Sequence, residues 1–296
     1  MANLKALFHN GQVGFTVYSP DCAQSRLWGN LDHAIHDATG FQAIYRQWIN
    51  HDVNSITRFY NSGGVEPTNE QDPDEYARKF DAIPAADLKY GHLVMKLFLS
   101  GPCLLTIWQG ESSDGAIPTL FKLKGRTQPA QAASESIRGR FWCDNGVCNL
   151  LHVSDDLAEA ERELKAVGVW DALDVERTPL PLIEPIPAPT DYVAHSGISV
   201  VCDVVNRLLA GEKIDVYLPP SGDAKETNAA LTPILREAAQ RWPKNAPFIE
   251  AFLRGDLVAV SAMMKKLPVT KWEYFIIQCG AINRDTWDAP DMPPGT

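Results

Sequence analysis

The chain predicts an α+β fold: an antiparallel sheet covered by helices, followed by a mainly helical C-terminal region. Three observations point there. Apolar, β-branched runs of strand length recur at residues 14–19, 41–49, 103–109 and 149–154. The helical patterns between them follow no strict strand–helix alternation, so a parallel sheet is not expected. After a stretch with five prolines at 177–192, the pattern is helical to about residue 290.

Taken in order, GFTVYS (14–19) reads as a buried strand that meets a turn at Pro20-Asp21. Residues 24–38 place Leu27, Leu31, Ala34, Ile35 and Ala38 at helical spacing, with Gly40 as the stop. FQAIYRQWI (41–49) alternates as a second strand, and 52–60 and 87–99 read as helices. The stretch between them, 61–85, is rich in turn formers and acids and reads as an exposed insertion. CLLTIWQ (103–109) is a buried strand, and NLLHVS (149–154) is a short one with His152 near its end. Residues 155–169 read as a helix that Ser154 or Asp155 caps, with acids suited to its first turn. Strand, helix, strand, helices, strand, loop, strand, helix fits a sandwich of the ferredoxin-like type. The expected organisation is one α+β domain over 1–175, a Pro-rich linker or surface strap over 176–194, and a mainly helical region over 195–296.

With 296 residues, 45% hydrophobic and 22% charged, the composition is that of a globular protein with a sizeable core. A net charge of −10 argues against nucleic acid as a partner, because that affinity comes from Lys and Arg on phosphates. A small anionic ligand stays open, since a pocket is able to be locally basic. No apolar run has the length of a membrane span, and MANLKALFHNGQ lacks a signal-peptide pattern, so a cytoplasmic location is expected. Cysteines 22, 103, 143, 148, 202 and 279 are scattered in apolar contexts and read as reduced, buried thiols.

Cys143-x4-Cys148-x3-His152 has a zinc-like spacing, but a structural zinc needs four ligands and no fourth Cys or His is near in sequence. The cysteines are better read as small core residues, and no protein-held metal is expected. The same stretch has another chemistry. Thr127, Arg138, Asn149 and Ser154 surround His152 in sequence, and Glu163 follows on the next helix. Hydroxyls, a guanidinium and an amide are what an anionic phosphoryl group needs. A carboxylate fixes a histidine's tautomer, and an imidazole so held is able to act as a nucleophile. Each residue alone has a plainer reading: Arg138 as an ion-pair partner, Asn149 as a turn residue, His152 as a satisfied core histidine.

Together these residues resemble the nucleoside diphosphate kinase family. The family's Gly-x-Thr-Asn-Pro loop corresponds to Gly125-Arg126-Thr127-Gln128-Pro129, and its Ile-Arg-Gly step to Ile137-Arg138-Gly139. Its Asn-x-x-His-Gly-Ser-Asp motif corresponds to Asn149-Leu150-Leu151-His152-Val153-Ser154-Asp155, with Glu163 after it. Ser100-Gly101-Pro102, the opening YSPDCAQSRLWG and Arg58-Phe59-Tyr60 extend the likeness, which covers roughly 13–172. The resemblance implies a nucleoside diphosphate kinase-like domain within 1–175 and a cytoplasmic, ATP-binding phosphotransferase. In it, His152 accepts the γ-phosphoryl group of an NTP and passes it to an NDP. Glu163 and Ser154 orient the imidazole. Tyr60, Thr127 and Arg138 hold phosphates, and Asn149 the ribose and phosphate end. Mg²⁺ comes with the nucleotide, and the chain forms a homo-oligomer, at least a dimer.

The sequence departs from the family at four places. Ser19 stands where the family has Lys, and Phe121 aligns with a phosphate-binding Arg, with Lys122, Lys124 and Arg126 as nearby substitutes. Val153 replaces the Gly beside the histidine, and the segment from Tyr60 to Ser100 is longer, with Tyr90 as the nearest aromatic for a base. A slow or inactive nucleotide-binding module, or an interaction scaffold, is therefore the alternative reading.

Overall fold

In a computed structural model of the chain, the described residues are 4–60, 73–173, 178–209 and 211–287. They divide into two units: residues up to 83 with 88–124 and 150–186, and residues 84–87 with 125–149 and 187 onward.

The first unit runs α1 (Leu4–His9), β1 (Val13–Tyr18), α2 (Pro20–Gln24), α3 (Trp28–Thr39), β2 (Gln42–Ile49), α4 (Val53–Tyr60) and α5 (Pro73–Ala82). It continues with α6 (Tyr90–Leu99), β3 (Cys103–Gln109), α7 (Ala116–Lys124), β4 (Leu151–His152) and α8 (Leu157–Ala166). The strands form one antiparallel sheet in the order β2-β3-β1-β4. This is the α+β, ferredoxin-like arrangement expected from the sequence.

Every residue of β1 is buried, and since its side chains alternate between faces, both faces of this strand are covered. Thr16 and Thr106 face each other in the β1–β3 ladder, and Trp108 Nε1 donates to Thr16 Oγ1 at 3.0 Å. Gly14 lets α7 lie directly on β1: a Cβ there would come within 2.9 Å of Leu120 Cδ1.

Several boundaries differ from expectation. The helix expected over 24–38 is two helices, parted at Arg26, whose φ is +58°. Pro20 opens α2 rather than a turn, since a first helical position needs no N–H. The insertion expected over 61–85 contains helix α5, which Pro73 opens; residues 61–72 lie outside the described residues. The strand expected over 149–154 pairs only at Leu151 and His152. Helix α8 is capped by Asp156, whose side chain accepts from Glu159 N at 2.9 Å, and not by Ser154 or Asp155. Gly40 ends α3 at φ +70°, as its position predicts.

The second unit holds α9 (Gly197–Leu208), α10 (Ala224–Arg241), α11 (Ala246–Leu253), α12 (Leu257–Met264) and α13 (Lys271–Ile282). Helices α9 and α13 cross closely at Gly197 and Gly280, where a Cβ on Gly197 would lie 2.8 Å from the Gly280 Cα. Buried Asp144 caps α9, accepting from Gly197 N at 3.0 Å and Ile198 N at 2.7 Å. The strand-free loop 125–149 folds in this unit. Cys143 Sγ lies 4.0 Å from His195 Nε2, and all six cysteines are buried.

Candidate active site

His152 sits at the end of the shortest strand, opposite Val17 of β1. Two residues before it, Leu150 adopts φ +74°, a left-handed conformation that β-sheet residues avoid. Both of its backbone groups are held. Leu150 N donates to Asp21 Oδ2 at 2.8 Å, and Leu150 O accepts from Ser19 N at 3.0 Å. Ser19 Oγ also donates to Asp21 Oδ1 at 2.5 Å. The buried Asp21 carboxyl is pushed above its usual range by desolvation, which the hydrogen bonds from Ser19 and from the Leu150 amide oppose. The Ser-Pro-Asp step thus ties β1 to the His152 strand. The sequence marks this step as a turn and as part of the family likeness, but not as a tie between strands.

Glu163 supplies the other constraint. Its side chain is 2% exposed, and Oε2 lies 2.9 Å from His152 Nε2. The same oxygen accepts from Ser154 Oγ at 2.5 Å. Arg162 Nη2 approaches Oε1 at 3.4 Å and donates to Phe59 O at 3.1 Å, which links α8 to α4. Phe59 and Tyr60 flank the imidazole edge-on, with centroids 4.9 and 5.5 Å away. Within the first unit the structure therefore brings together His152, Glu163, Ser154 and Tyr60.

Lys124 is a buried cation beside this segment. Its Nζ donates to Val153 O at 2.9 Å, lies 3.6 Å from Asp155, and sits over the Phe121 ring at 4.0 Å. Val153 itself is 1% exposed, so its side chain is a core residue. Tyr90 is half-buried at the start of α6.

A second histidine, His51, touches Phe59 and Phe98 with centroids 5.2 and 5.4 Å away. It is 7% exposed, and Nδ1 lies 3.3 Å from Ser55 Oγ. Burial, then the charge of His152, push its imidazole down to about 4, against the pull of Asp52. No motif in the sequence marks His51, because its packing against Phe98 is made only by the fold.

The remaining expected residues lie in the second unit, where Thr127 links them. Arg138 Nη1 reaches Thr127 Oγ1 at 3.5 Å, and Asn149 Nδ2 reaches Thr127 O at 3.5 Å and Gly146 O at 2.6 Å. The glycines of this loop have steric reasons. Gly125 takes φ +83° against Ser136, and a Cβ on Gly139 would lie 2.0 Å from Ala133 O.

Residues 12–167 match the family model "Nucleoside diphosphate kinase". The chain belongs to the nucleoside diphosphate kinase family. A nucleoside diphosphate kinase of Methanoculleus marisnigri is 44% identical over 66 residues, covering 22% of this chain and 42% of that protein. One of Brevibacillus brevis is 38% identical over 93 residues, covering 30% and 58%. One of Methanobrevibacter smithii is 29% identical over 153 residues, covering 52% and 84%. The chain spans about half the length of the first of these curated relatives. Among solved structures, a nucleoside diphosphate kinase of Halobacterium salinarum in complex with CDP is similar at a TM-score of 0.41 and 22% identity, covering 57% of this chain and 93% of that one. The family match ends well before α9, so the C-terminal helices lie outside it.

Proposed function

We propose that this family member moves the γ-phosphoryl group of an NTP to an NDP through a phosphohistidine at His152. The observation that carries the reading is the pairing of His152 Nε2 with the buried Glu163 carboxylate at 2.9 Å. That contact fixes the tautomer and leaves Nδ1 as the nucleophile. Nδ1 attacks the γ-phosphorus, the bond to the bridging oxygen breaks, and the NDP leaves with that electron pair. A β-phosphate oxygen of a second NDP then attacks the phosphorus, and the electrons of the P–N bond return to Nδ1.

Glu163 and Ser154 are the orienting groups. Tyr60, Thr127 and Arg138 are the phosphate-holding groups, and Asn149 the group at the ribose and phosphate end. Catalysis of this type is mostly positioning and charge neutralisation. The donor set fits a Mg²⁺ that arrives on the nucleotide. The oxygens of Glu163 and Asp21 are engaged with His152, Ser154, Ser19 and Leu150 N, so a Mg²⁺ arriving on the nucleotide would be held through phosphate and water rather than by these carboxylates. When bound, that ion neutralises charge on the transferring group.

Ser19 favours a second reading, a slow enzyme or a nucleotide sensor. Its hydroxyl is turned onto Asp21 and offers no charge to a phosphate. Loss of one such contact lowers the rate by about 10²–10³. The test is incubation with γ-labelled ATP. An acid-labile, base-stable label that His152→Ala abolishes supports transfer. Protection from heat by nucleotide without label supports the sensor.

A further inference from the structure

The loop 125–149 carries Thr127, Arg138 and Asn149, yet it contains one short turn, Pro129–Gln131, and no strand or α-helix of its own. Part of it is strained. Phe141 and Trp142 are consecutive left-handed residues, at φ +56° and +60°, and a Cβ disfavours that region.

The groups that hold this strain come from the chain after residue 187, in the same unit. Trp142 N donates to Gly222 O at 2.8 Å, and Trp142 Nε1 to Pro219 O at 2.9 Å. His195 Nε2 lies 2.8 Å from Phe141 O; a carbonyl only accepts, so this nitrogen carries the hydrogen. Gly222 permits the approach, since a Cβ there would lie 2.9 Å from Phe141 N. Ala224 N, at the start of α10, donates to Gly139 O at 2.9 Å.

The hold reaches an expected nucleotide-binding residue through Gly146. Asn149 Nδ2 donates to Gly146 O at 2.6 Å, and Gly146 N donates to Asn283 Oδ1 at 2.6 Å. Asn283 ends α13 and is buried. Gly146 is wedged between two side chains: a Cβ on it would lie 2.9 Å from both Asn283 and Gln128. Trp287 Nε1 donates to Asp144 O at 2.8 Å, and the turns Pro129–Gln131 and Arg284–Trp287 pack on each other. The family match ends at residue 167, so all these partners after residue 187 lie outside it.

We propose that the C-terminal helical region is a built-in clamp that holds the nucleotide loop in its binding conformation, with Asn283 as the positioning residue for Asn149. This role rests on the reading in which Thr127, Arg138 and Asn149 hold the nucleotide. Asn283 acts through Gly146 and not on the nucleotide. A loop released from the clamp samples other conformations, and the apparent affinity falls with the fraction that stays competent. Bound nucleotide selects the competent loop, so the rate at saturation is kept. The signature is a raised Kd and KM at constant kcat.

The test uses the full-length chain and three variants. Asn283→Ala removes this acceptor of Gly146 N, and Trp287→Phe removes the donor to Asp144 O while keeping a ring in place. Asp256→Ala deletes the cap of α12, which accepts from Ala259 N at 2.9 Å, and weakens the C-terminal helices away from the loop. Hydrogen exchange at the Gly146 amide reads the clamp, and calorimetric titration with ADP and Mg²⁺ reads affinity. The expected result is faster Gly146 exchange and a Kd raised at least about fivefold in Asn283→Ala, with a smaller change of the same sign in Trp287→Phe. Asp256→Ala keeps the wild-type Kd, and His152 labelling of Asn283→Ala at saturating ATP stays within about twofold of wild type. An unchanged Kd in Asn283→Ala overturns the proposal. So does unchanged Gly146 exchange in both loop-facing variants, or an equal loss of affinity in Asp256→Ala. A wild type that binds ADP without labelling His152 removes the transfer reading alone, and the Kd comparison still decides the clamp. A wild type that binds no ADP overturns both.

Discussion

Leu150 shows how much of this site depends on single residues. A left-handed conformation at a non-glycine residue costs about 1–2 kcal/mol, and Asp21 and Ser19 hold it there. Asp21→Ala removes the acceptor of a buried N–H, so urea unfolding should show a loss of about 1–3 kcal/mol. At Glu163, Glu163→Gln keeps the shape but not the charge that orients His152. Labelling of His152 should slow by about 10² or more in single-turnover measurements, with the fold intact by circular dichroism. The histidines predict a pH dependence. His51 and His195 are both held near about 4 by burial, below the ordinary 6.5, so each is neutral in the fold. As pH falls, the unfolded chain takes these protons first. Stability is complete above pH 6.5, is lost between 6.5 and 4, and levels off below, by about 3 kcal/mol per histidine. Unfolding midpoints of His51→Phe against pH should show a shallower acid limb than wild type. The pairing of His152 with Glu163 was legible because both lie on one short stretch of chain. The bond of Asp21 to Leu150 and the packing of His51 were not, because those partners are brought in by tertiary structure, which local spacing does not encode.

Among the elements, the strands were the most legible. Apolar runs bounded by Pro, Gly or Asp mark the ends of β1 and β3 almost to the residue, and Gly40 marks the end of α3. Helices α1 and α7 went unread because they are short, with 6 and 9 residues, and α7 contains a proline. Their stability comes from packing rather than from propensity. The cap of α8 was misassigned by one or two positions, since Ser154, Asp155 and Asp156 are all competent caps and only tertiary structure assigns Ser154 to Glu163. Asp156→Ala should lower stability by about 1 kcal/mol in chemical denaturation and leave the His152–Glu163 pair in place. In the second unit, Gly197→Leu should separate α9 from α13 and lower stability by about 1–3 kcal/mol, as fits a helix crossing that leaves no room for a side chain.

At the scale of the whole molecule, the family and the α+β class were legible from motifs that carry local chemistry, while the C-terminal helices carry no motif that names a role. The net charge of −10 sets no barrier to nucleotide binding where a pocket is locally basic. A bound nucleotide at about 100 times its Kd should add about 2.7 kcal/mol of stability, seen as a rise in Tm with ADP. No helix among the described residues is long and apolar enough to cross a membrane.

The bond from Leu150 N to Asp21 joins residues 129 positions apart. On a ribosome adding about 5–20 residues per second, the Asp21 side waits on the order of ten seconds for its partner to be made. The His152 strand is therefore among the last parts of the sheet to join, and β1 keeps an open side until it does. Labelling of His152 in a stalled or truncated nascent chain would mark the moment at which the sheet closes.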